Sequence, residues 1–354
     1  MRMSLASELP VTIPKADFDV MFEFAKSVFR LKQNRTYVSR LESLLPEAAR
    51  IRPDAPGILM GFDFHLTPEG PRLIEINNNA GGLYIGDGKW LPQPDITELE
   101  NGFKHRILGM FPDVWKTIAI VDEDIEQQYM YPEMEAYAAL LADDGREVFL
   151  ISPEQLQLNE DGLYVNSKRV DAIYNRHTDF YLESSAMQHI KSAYLAGQVQ
   201  VNPHPRSYAL LGDKSRMSDW WHRGLLEGTI SDREIALIRA IVPETHLMNE
   251  YDPEAAWQER KSWVFKPSAR HGGKGVLLGK GISHKRFDGL ERSETVMQKF
   301  VPASQVEING TSFKFDVRLY TQAERLIAVA GRVWQGQLTN FRVEGSGWVP
   351  LNIA

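Results

Sequence analysis

The chain has 354 residues, which is enough for two or three domains of ordinary size. Hydrophobic residues make up 43% and charged residues 25%, proportions typical of a globular protein. A net charge of −7 without a long basic run argues against nucleic acid as a partner. The lack of cysteine excludes disulfides, thiolate metal sites and a cysteine nucleophile. Neither a signal-peptide core nor a run of about eighteen apolar residues occurs, so we expect a cytoplasmic protein without a membrane partner.

Helical and strand patterns alternate along the chain. Apolar residues at three- and four-residue spacings predict helices over 16–50, and a β-hairpin over 58–82 follows. Two buried-strand patterns flanking a helical segment predict one β-α-β unit of a parallel sheet over 116–151, with a further strand at 171–176. From 262 onward, short strands joined by polar turns predict an antiparallel sheet. Further helices are predicted near 95–110, 182–194, 214–225 and 232–239.

The hairpin, ILMGFDFHLTPEGPRLIEINNNAGG, carries the most informative polar residues. Its turn, TPEGP, contains the Pro and Gly that end one strand and begin the next, and a turn centred on Glu69 places Asp63 opposite Glu75. Alternation then separates two faces. The apolar face holds Phe62, Phe64, Ile74 and Ile76, and the polar face holds Asp63, His65, Glu75 and Asn77.

Two carboxylates that face each other across an antiparallel pair repel, so we expect a cation between them. Oxygen ligands suit magnesium, which keeps several waters and takes further ligands from substrate phosphates. The hairpin therefore predicts Asp63, Glu75 and Asn77 as metal ligands. The alternative is a solvated polar strand face that carries acidic residues by chance. His65 lies on the same face but needs no role in either interpretation.

A second group of residues lies in SWVFKPSARHGGKGVLLG. Lys266 ends an apolar strand, where its ammonium group can contact a phosphate as a point charge. The glycines of the following HGGKG turn let backbone N–H groups approach anionic oxygens. The spacing matches neither a Walker A motif nor a dinucleotide-binding fingerprint. An ordinary Gly-rich hairpin turn that happens to contain a lysine is the alternative.

Three features of the last hundred residues also suggest a ligand cleft. The strand ETVMQKFVP has the apolar character of a nucleotide-contacting strand, although a plain core strand would look the same. Arg318 and Arg332 lie inside otherwise apolar strands, so each guanidinium needs a carboxylate or phosphate partner. Asp316 is a candidate partner for Arg318.

GDK with Lys214, FKP, HGGKG, VMQKFV and FDVR occur in the order seen in the ATP-grasp superfamily, which this chain resembles. The metal hairpin lies at the opposite end of the chain, as in the circularly permuted glutathionylspermidine synthetases and eukaryotic glutathione synthetases. The resemblance implies an α+β and α/β protein in which two α+β ATP-grasp subdomains clamp ATP beside a Rossmann-like domain. The implied parts are hairpin and N-terminal helices at 1–90, a Rossmann-like substrate domain at 91–210, a lid at 211–303 and core strands at 304–354.

The resemblance also implies an activity, that of an ATP-dependent carboxylate-amine ligase working through an acyl phosphate. ATP and two magnesium ions, or manganese, would be the cofactors. The partners would be a small-molecule or peptide carboxylate and an amine, and a homodimer is also expected. The chain has no amidase domain and no pattern that identifies its substrates. A phosphotransferase and a non-catalytic nucleotide-binding module are the alternatives.

The resemblance assigns roles to individual residues. Arg318 and Arg332 would act in catalysis. Apart from the resemblance, Arg176 and His177 follow a predicted strand end, where open α/β sheets bind ligands, and are substrate-binding candidates together with Arg206. A surface or interdomain salt bridge is the alternative for each of these three. The implied nucleotide-binding residues are Lys214, Lys266, His271, Gly272, Gly273, Lys274, Gly275, Gln298, Lys299, Phe300, Val301 and Asn340.

Overall fold

The computed structural model describes residue 6 and residues 10–86, 99–222, 224–268, 275–337 and 345–354. Its strands are β1 (Val11–Ile13), β2 (Met60–Thr67), β3 (Gly70–Asn77), β4 (Thr117–Val121), β5 (Glu147–Ile151), β6 (Gln157–Asn159), β7 (Gly162–Val165), β8 (Lys168–Arg169), β9 (Ala172–Asn175), β10 (Gln200–Asn202), β11 (Thr245–Leu247), β12 (Trp263–Pro267), β13 (Leu277–Leu278), β14 (Thr295–Lys299), β15 (Ser304–Ile308), β16 (Thr311–Gln322), β17 (Arg325–Trp334), β18 (Gly347–Val349) and β19 (Leu351–Ile353). Its α-helices are α1 (Lys15–Gln33), α2 (Arg35–Leu41), α3 (Glu47–Arg50), α4 (Leu99–Leu108), α5 (Tyr131–Asp143), α6 (Gln188–Leu195), α7 (Pro205–Ser207), α8 (Ser215–Asp219), α9 (Asp232–Ile241), α10 (Pro253–Gln258) and α11 (His284–Asp288).

A six-stranded antiparallel sheet joins the two ends of the chain. Its order is β18-β17-β16-β2-β3, and β15 pairs with β16. The predicted hairpin β2–β3 is therefore hydrogen-bonded to the C-terminal strand β16, more than two hundred residues later. On the apolar face, Phe24 of α1 packs edge-on against Phe62 and Phe64, at ring-centroid distances of 6.2 and 5.8 Å. This packing leaves the opposite face of the sheet for polar side chains.

A four-stranded parallel sheet, in the order β10-β9-β4-β5, forms a second layer. The β-α-β unit predicted over 116–151 is confirmed, because α5 connects the parallel neighbours β4 and β5. The strand predicted at 171–176 is β9, which pairs in parallel with β4. Apolar residues cover both faces of β4, as expected for a strand between two layers of helices.

The third sheet is small and antiparallel, in the order β11-β14-β12-β13. Trp263, Phe265 and Met297 form its core with residues from α10 and α11. The strand predicted from GVLLG is reduced to two residues, and the helix predicted near 214–225 to five, α8. None of the described helices combines the length and apolar character needed to cross a membrane.

Candidate active site

A cleft of about 600 Å³ lies among these sheets and contains most of the predicted site residues. The polar face of β2, β3, β16 and β17 forms one wall, and β12 and β14 form another. The described residues that line it and carry charge are Asp63, Glu75, Asp122, Arg176, Lys214, Lys266, Lys299, Lys314, Asp316, Arg318 and Arg332. Seven of these are cationic and four acidic, so the cleft is positive in a protein of net charge −7.

The hairpin places Asp63 opposite Glu75, as predicted, but its turn and its strand register differ from the prediction. The turn contains two residues, Pro68 and Glu69, and a β-bulge next to Asp63 restores the register. The prediction that Ile74 faces the core is wrong. The bulge gives the core position to Leu73, which is fully buried, and Ile74 lines the cleft.

Two arginines lie directly across from two aspartates in the sheet. Arg318 pairs with Asp63, with Nε and Nη2 donating to the two carboxylate oxygens at 2.6 Å each. Arg332 pairs with Asp316 in the same bidentate manner, at 2.7 Å each. The expectation that Asp316 partners Arg318 is therefore wrong, because the register sets it opposite Arg332. All four residues are at most 7% exposed, and breaking such a buried pair costs about 3–5 kcal/mol.

The two predicted phosphate-binding lysines come from different elements but meet at β3. The Lys214 ammonium lies 3.0 Å from Glu75 Oε1. Lys266 donates to the Ile74 carbonyl at 3.0 Å and to Gln298 Oε1 at 2.6 Å. Burial lowers the pKa of Lys266 to about 8, while the neighbouring Glu75 opposes this shift. Lys266 is therefore a cation that an anionic ligand would stabilise further.

The side chains and main chain of β14 make contacts within the protein that its sequence does not indicate. Gln298 lines the cleft but is buried, and its Oε1 accepts from the Lys266 ammonium. The Lys299 ammonium lies 3.7 Å from the centroid of the Trp263 ring and 3.5 Å from a Glu259 oxygen. Main-chain N–H groups of Lys299 and Phe300 donate to carbonyls outside the cleft lining, so these two amides are already engaged.

Phe300 and Val301 form the remainder of this wall. The Phe300 side chain is 49% exposed, which is unusual for a large apolar residue and suits a ring that stacks on a ligand. The Val301 carbonyl lies 3.1 Å from His65 Nδ1, which connects the third sheet to the hairpin. Burial lowers the pKa of His65, which favours its neutral ring.

Of the predicted HGGKG loop, the structure describes Gly275, which has a φ of +81°. The predicted residues His271, Gly272, Gly273, Lys274 and Asn340 lie outside the described residues.

The three predicted substrate residues lie in different environments. Arg176 lines the cleft, where it donates to Asn79 Oδ1 and to the Tyr174 hydroxyl. His177 is not among the described lining residues, and its Nδ1 accepts from a main-chain N–H two residues later. Arg206 is also outside the lining. It forms an ion pair with Glu42 at 2.8 Å and donates to two carbonyls of the N-terminal helical region.

Sequence reasoning missed Glu133, a buried carboxylate in α5. Its Oε1 accepts from the main-chain N–H groups of Gly82 and Tyr84, at 2.8 and 3.1 Å. Its Oε2 lies 3.8 Å from Nη2 of Arg176. Glu133 therefore fixes the glycine loop that follows the hairpin and faces Arg176 at the same time. Helix periodicity could have found it, because Glu133 precedes Tyr137 by four residues and Leu140 by seven and so lies on the buried face of α5, where a carboxylate needs a partner.

The predicted metal ligands differ in how well each could bind a divalent cation. Glu75 lies beside the cleft, and the Nδ2 group of Asn77 donates to Asp63, so its amide oxygen is the atom that could face a cation. Both oxygens of Asp63 already accept from guanidinium groups. Among the described residues, no group of three or more acidic or histidine side chains is arranged to hold a metal. Asp63 in this arrangement does not fit magnesium, whereas Asn77 and Glu75, whose Oε1 lies 3.0 Å from the Lys214 ammonium, line the cleft and could hold the ion between them.

Comparisons with known proteins give structural matches only. No family model matches the sequence, and no curated protein sequence matches it. A glutathione synthetase-like effector, GSS30 from Globodera pallida, matches 98% of this chain and 89% of its own, with a TM-score of 0.57 and 9% identity. A protein of Methylobacillus flagellatus KT, provisionally designated a gamma-glutamylcysteine synthetase, matches 94% of this chain and 86% of its own, with a TM-score of 0.52 and 13% identity. The ATP-grasp ligase PsnB matches 68% of this chain and 78% of its own, with a TM-score of 0.41 and 17% identity.

The first two matches cover nearly the whole chain, whereas their sequence identities are very low. Structural similarity at such low sequence identity shows only that the backbones are arranged alike, and it gives no information about the substrate. The chain therefore has the fold of glutathione synthetase-like proteins.

Proposed function

We propose that the protein is an ATP- and magnesium-dependent ligase that joins a carboxylate to an amine through an acyl phosphate. The observation that carries the proposal is the excess of cationic side chains in the cleft of an acidic protein. Buried positive charge is costly unless an anion compensates it, so the cleft is suited to a polyphosphate. The glutathione synthetase-like fold supports the choice of a ligase, and we infer a permuted ATP-grasp arrangement with a Rossmann-like parallel sheet.

Within this proposal, Lys214 and Lys266 hold phosphate oxygens. Both ammonium groups are buried beside β3, and both lie next to acceptors that an incoming phosphate would join. The Phe300 ring contacts the base at the edge of the cleft. Glu75 and Asn77 hold magnesium, which neutralises charge on the β- and γ-phosphates when it is bound. Phosphoryl transfer depends mainly on positioning and charge, and these side chains supply both.

The two arginines differ in their capacity to contact the transferred group. In Arg318, Nε and Nη2 donate to Asp63, and Nη1 donates to the Gly81 carbonyl at 3.2 Å, so every nitrogen is engaged. In Arg332, Nε and Nη2 contact carboxylates, and Nη1 makes no hydrogen bond to the part of the chain that the structure describes. Arg332 is therefore the better candidate for donating to the phosphoryl or acyl oxyanion.

The substrate carboxylate would lie on the Arg176 side of the cleft. Arg176 is 7% exposed, and its partners there are a neutral amide, a hydroxyl and the more distant Glu133 carboxylate. Because these partners do not fully neutralise the Arg176 guanidinium, it can also bind a substrate carboxylate in bidentate geometry. The amine would then attack the acyl phosphate, and exclusion of water by the cleft would protect that intermediate.

The test is magnesium-dependent ATP consumption by the purified protein across amino acids, short peptides and amines. ADP, phosphate and the mass of the product are measured together. Phosphate release that requires both an acid and an amine supports the ligase. ADP formation with a phosphorylated product would instead identify a phosphotransferase, and ATP binding without turnover on any acceptor would favour a binding module. A Lys266→Gln variant should lose turnover, whereas Lys280→Gln, an exposed lysine outside the cleft, should keep it.

A further inference from the structure

The Asp63 carboxylate in the cleft receives four polar contacts. Arg318 donates to both of its oxygens at 2.6 Å, and Asn77 donates to Oδ2 at 3.1 Å. Nη2 of Arg332 lies 2.9 Å from the same Oδ2 atom. A carboxylate has room for about four hydrogen-bond donors, so Asp63 is close to saturation, and Oδ2 in particular is fully surrounded.

We propose that Asp63 is a positioning residue for Arg318 and Arg332 and is not a ligand of the metal ion. This inference rests on the proposed function, because it concerns the metal and the phosphoryl group of the same cleft. A divalent cation at Oδ2 would have to displace a guanidinium group or share the oxygen with two of them. Like charges at such distances repel strongly where water is excluded.

The cross-strand register explains why Asp63 suits this role. Asp63 lies directly opposite Arg318 on one neighbouring strand and Glu75 on the other. It therefore lies between the two arginines and Glu75 in the sheet. The bidentate pair fixes the plane of the Arg318 guanidinium. The contact with Arg332 Nη2 orients that second guanidinium, whose other carboxylate partner is Asp316.

This role of Asp63 limits the ligands available to the metal ion. The other carboxylate on this face of the hairpin is Glu75, which a divalent ion would share with the Lys214 ammonium 3.0 Å from Oε1, and Asn77 could add its amide oxygen. We therefore expect one tightly held ion in the complex with ATP instead of the two that an Asp63-Glu75-Asn77 ligand set would support.

The first experiment measures the affinity of Mn²⁺ for the protein with ATP by electron paramagnetic resonance of free Mn²⁺. Asp63→Asn should bind Mn²⁺ within about twofold of wild type, whereas Glu75→Gln should bind it at least about tenfold more weakly. An Asp63→Asn variant that loses Mn²⁺ affinity as severely as Glu75→Gln would overturn the inference. Absence of Mn²⁺ and ATP binding in the wild-type protein would refute the proposed function and leave the second experiment to decide the role of Asp63.

The second experiment is urea denaturation with a chelator and without nucleotide. If Asp63 mainly positions the arginines, Asp63→Asn lowers the urea midpoint because the buried Arg318 loses its carboxylate partner and Arg332 loses one of its two. The double variant Asp63→Asn/Arg318→Gln should recover much of that loss. If Asp63 were instead one of two repelling metal ligands, Asp63→Asn would leave the midpoint unchanged or raise it, and that outcome would overturn the inference.

A third measurement separates positioning from a purely structural role. In ATP turnover, Asp63→Asn should lower kcat by about 100-fold, because misplaced arginines no longer match the transferred group, and leave the KM for ATP within about twofold. A variant that folds and shows unchanged kcat would exclude the positioning role.

Discussion

The pKa of Lys266 makes nucleotide affinity depend on pH in a way that can be calculated. Burial lowers this pKa to about 8 from an ordinary value of 10.5. A phosphate group next to Lys266 favours the charged lysine, so binding above pH 8 requires uptake of a proton. Affinity should be constant below pH 8 and should fall by up to about tenfold for each pH unit above it. Between pH 8 and pH 9.5 the expected loss is up to about 30-fold, or roughly 2 kcal/mol.

The assay is isothermal titration calorimetry with ATP in chelator-containing buffers from pH 6.5 to 9.5. Phosphate groups have a second pKa of about 6, so ionisation of ATP cannot produce the slope above pH 8. Lys266→Gln should bind more weakly and show no slope in this range, whereas Lys280→Gln should behave like wild type. An ATP affinity that is constant from pH 7 to pH 9.5, or an equal slope in Lys266→Gln, would refute the assignment of Lys266 to the phosphate site.

The same pKa has a consequence for folding. The folded-state pKa of Lys266 lies below its unfolded value, so the unfolded chain binds more protons between about pH 8 and pH 10.5. The contribution of Lys266 to stability is therefore unfavourable below pH 8 and becomes less unfavourable as the pH rises through this window. ATP should partly remove this dependence, because it stabilises the charged lysine in the folded state.

Three further predictions concern residues at different depths in the structure. Gly82 has a φ of +97° and a Cβ there would lie 2.1 Å from an indole ring, so Gly82→Ala should lower unfolding free energy by about 2–4 kcal/mol, and Gly70→Ala, at φ +101° in open space, by about 1 kcal/mol. Urea denaturation compares the two, and equal losses would contradict the close approach. Phe300→Ala should weaken ATP binding by about 1–3 kcal/mol if its ring stacks on the base, whereas Val114→Ala, at an apolar position 76% exposed, should have no effect in calorimetry. Burial, aided by two nearby cations, lowers the pKa of His204 to about 3, so the protein should lose stability as the pH falls from about 6.5 towards 3. His204→Asn keeps a helix N-cap acceptor and should flatten that pH profile, and an unchanged profile would show that His204 is not its cause.

Several parts of the site could be predicted from the sequence because they depend on local geometry. Side chains alternate along a strand, so the spacing in FDFH places Asp63 and His65 on one face of their strand, and the spacing in EIN places Glu75 and Asn77 on one face of theirs. The β-α-β unit follows from two apolar strands separated by one helix. Ile74 was assigned to the wrong face because a one-residue bulge reverses the alternation, and nothing in the local sequence shows where a bulge lies.

The partners of the buried charges could not be predicted in this way. Arg318 meets Asp63 across 255 residues of sequence, and Asp316 meets Arg332 because β16 and β17 pair in that register. Sequence reasoning required a partner for each guanidinium but could not choose among the available carboxylates. Gln298 is a similar case, because its strand was recognisable but its contact with Lys266 depends on how β12 and β14 pair.

The sequence by itself determined the hairpin and the alternation within each of its strands, the parallel unit and the presence of buried cations that need anionic partners. Only the tertiary structure decided that guanidinium groups surround Asp63, that Lys214 and Lys266 meet at β3, and that Arg206 lies outside the cleft. The physical reason is that alternation is a property of each strand, whereas the register between distant strands depends on the packing and hydrogen bonding of the whole sheet.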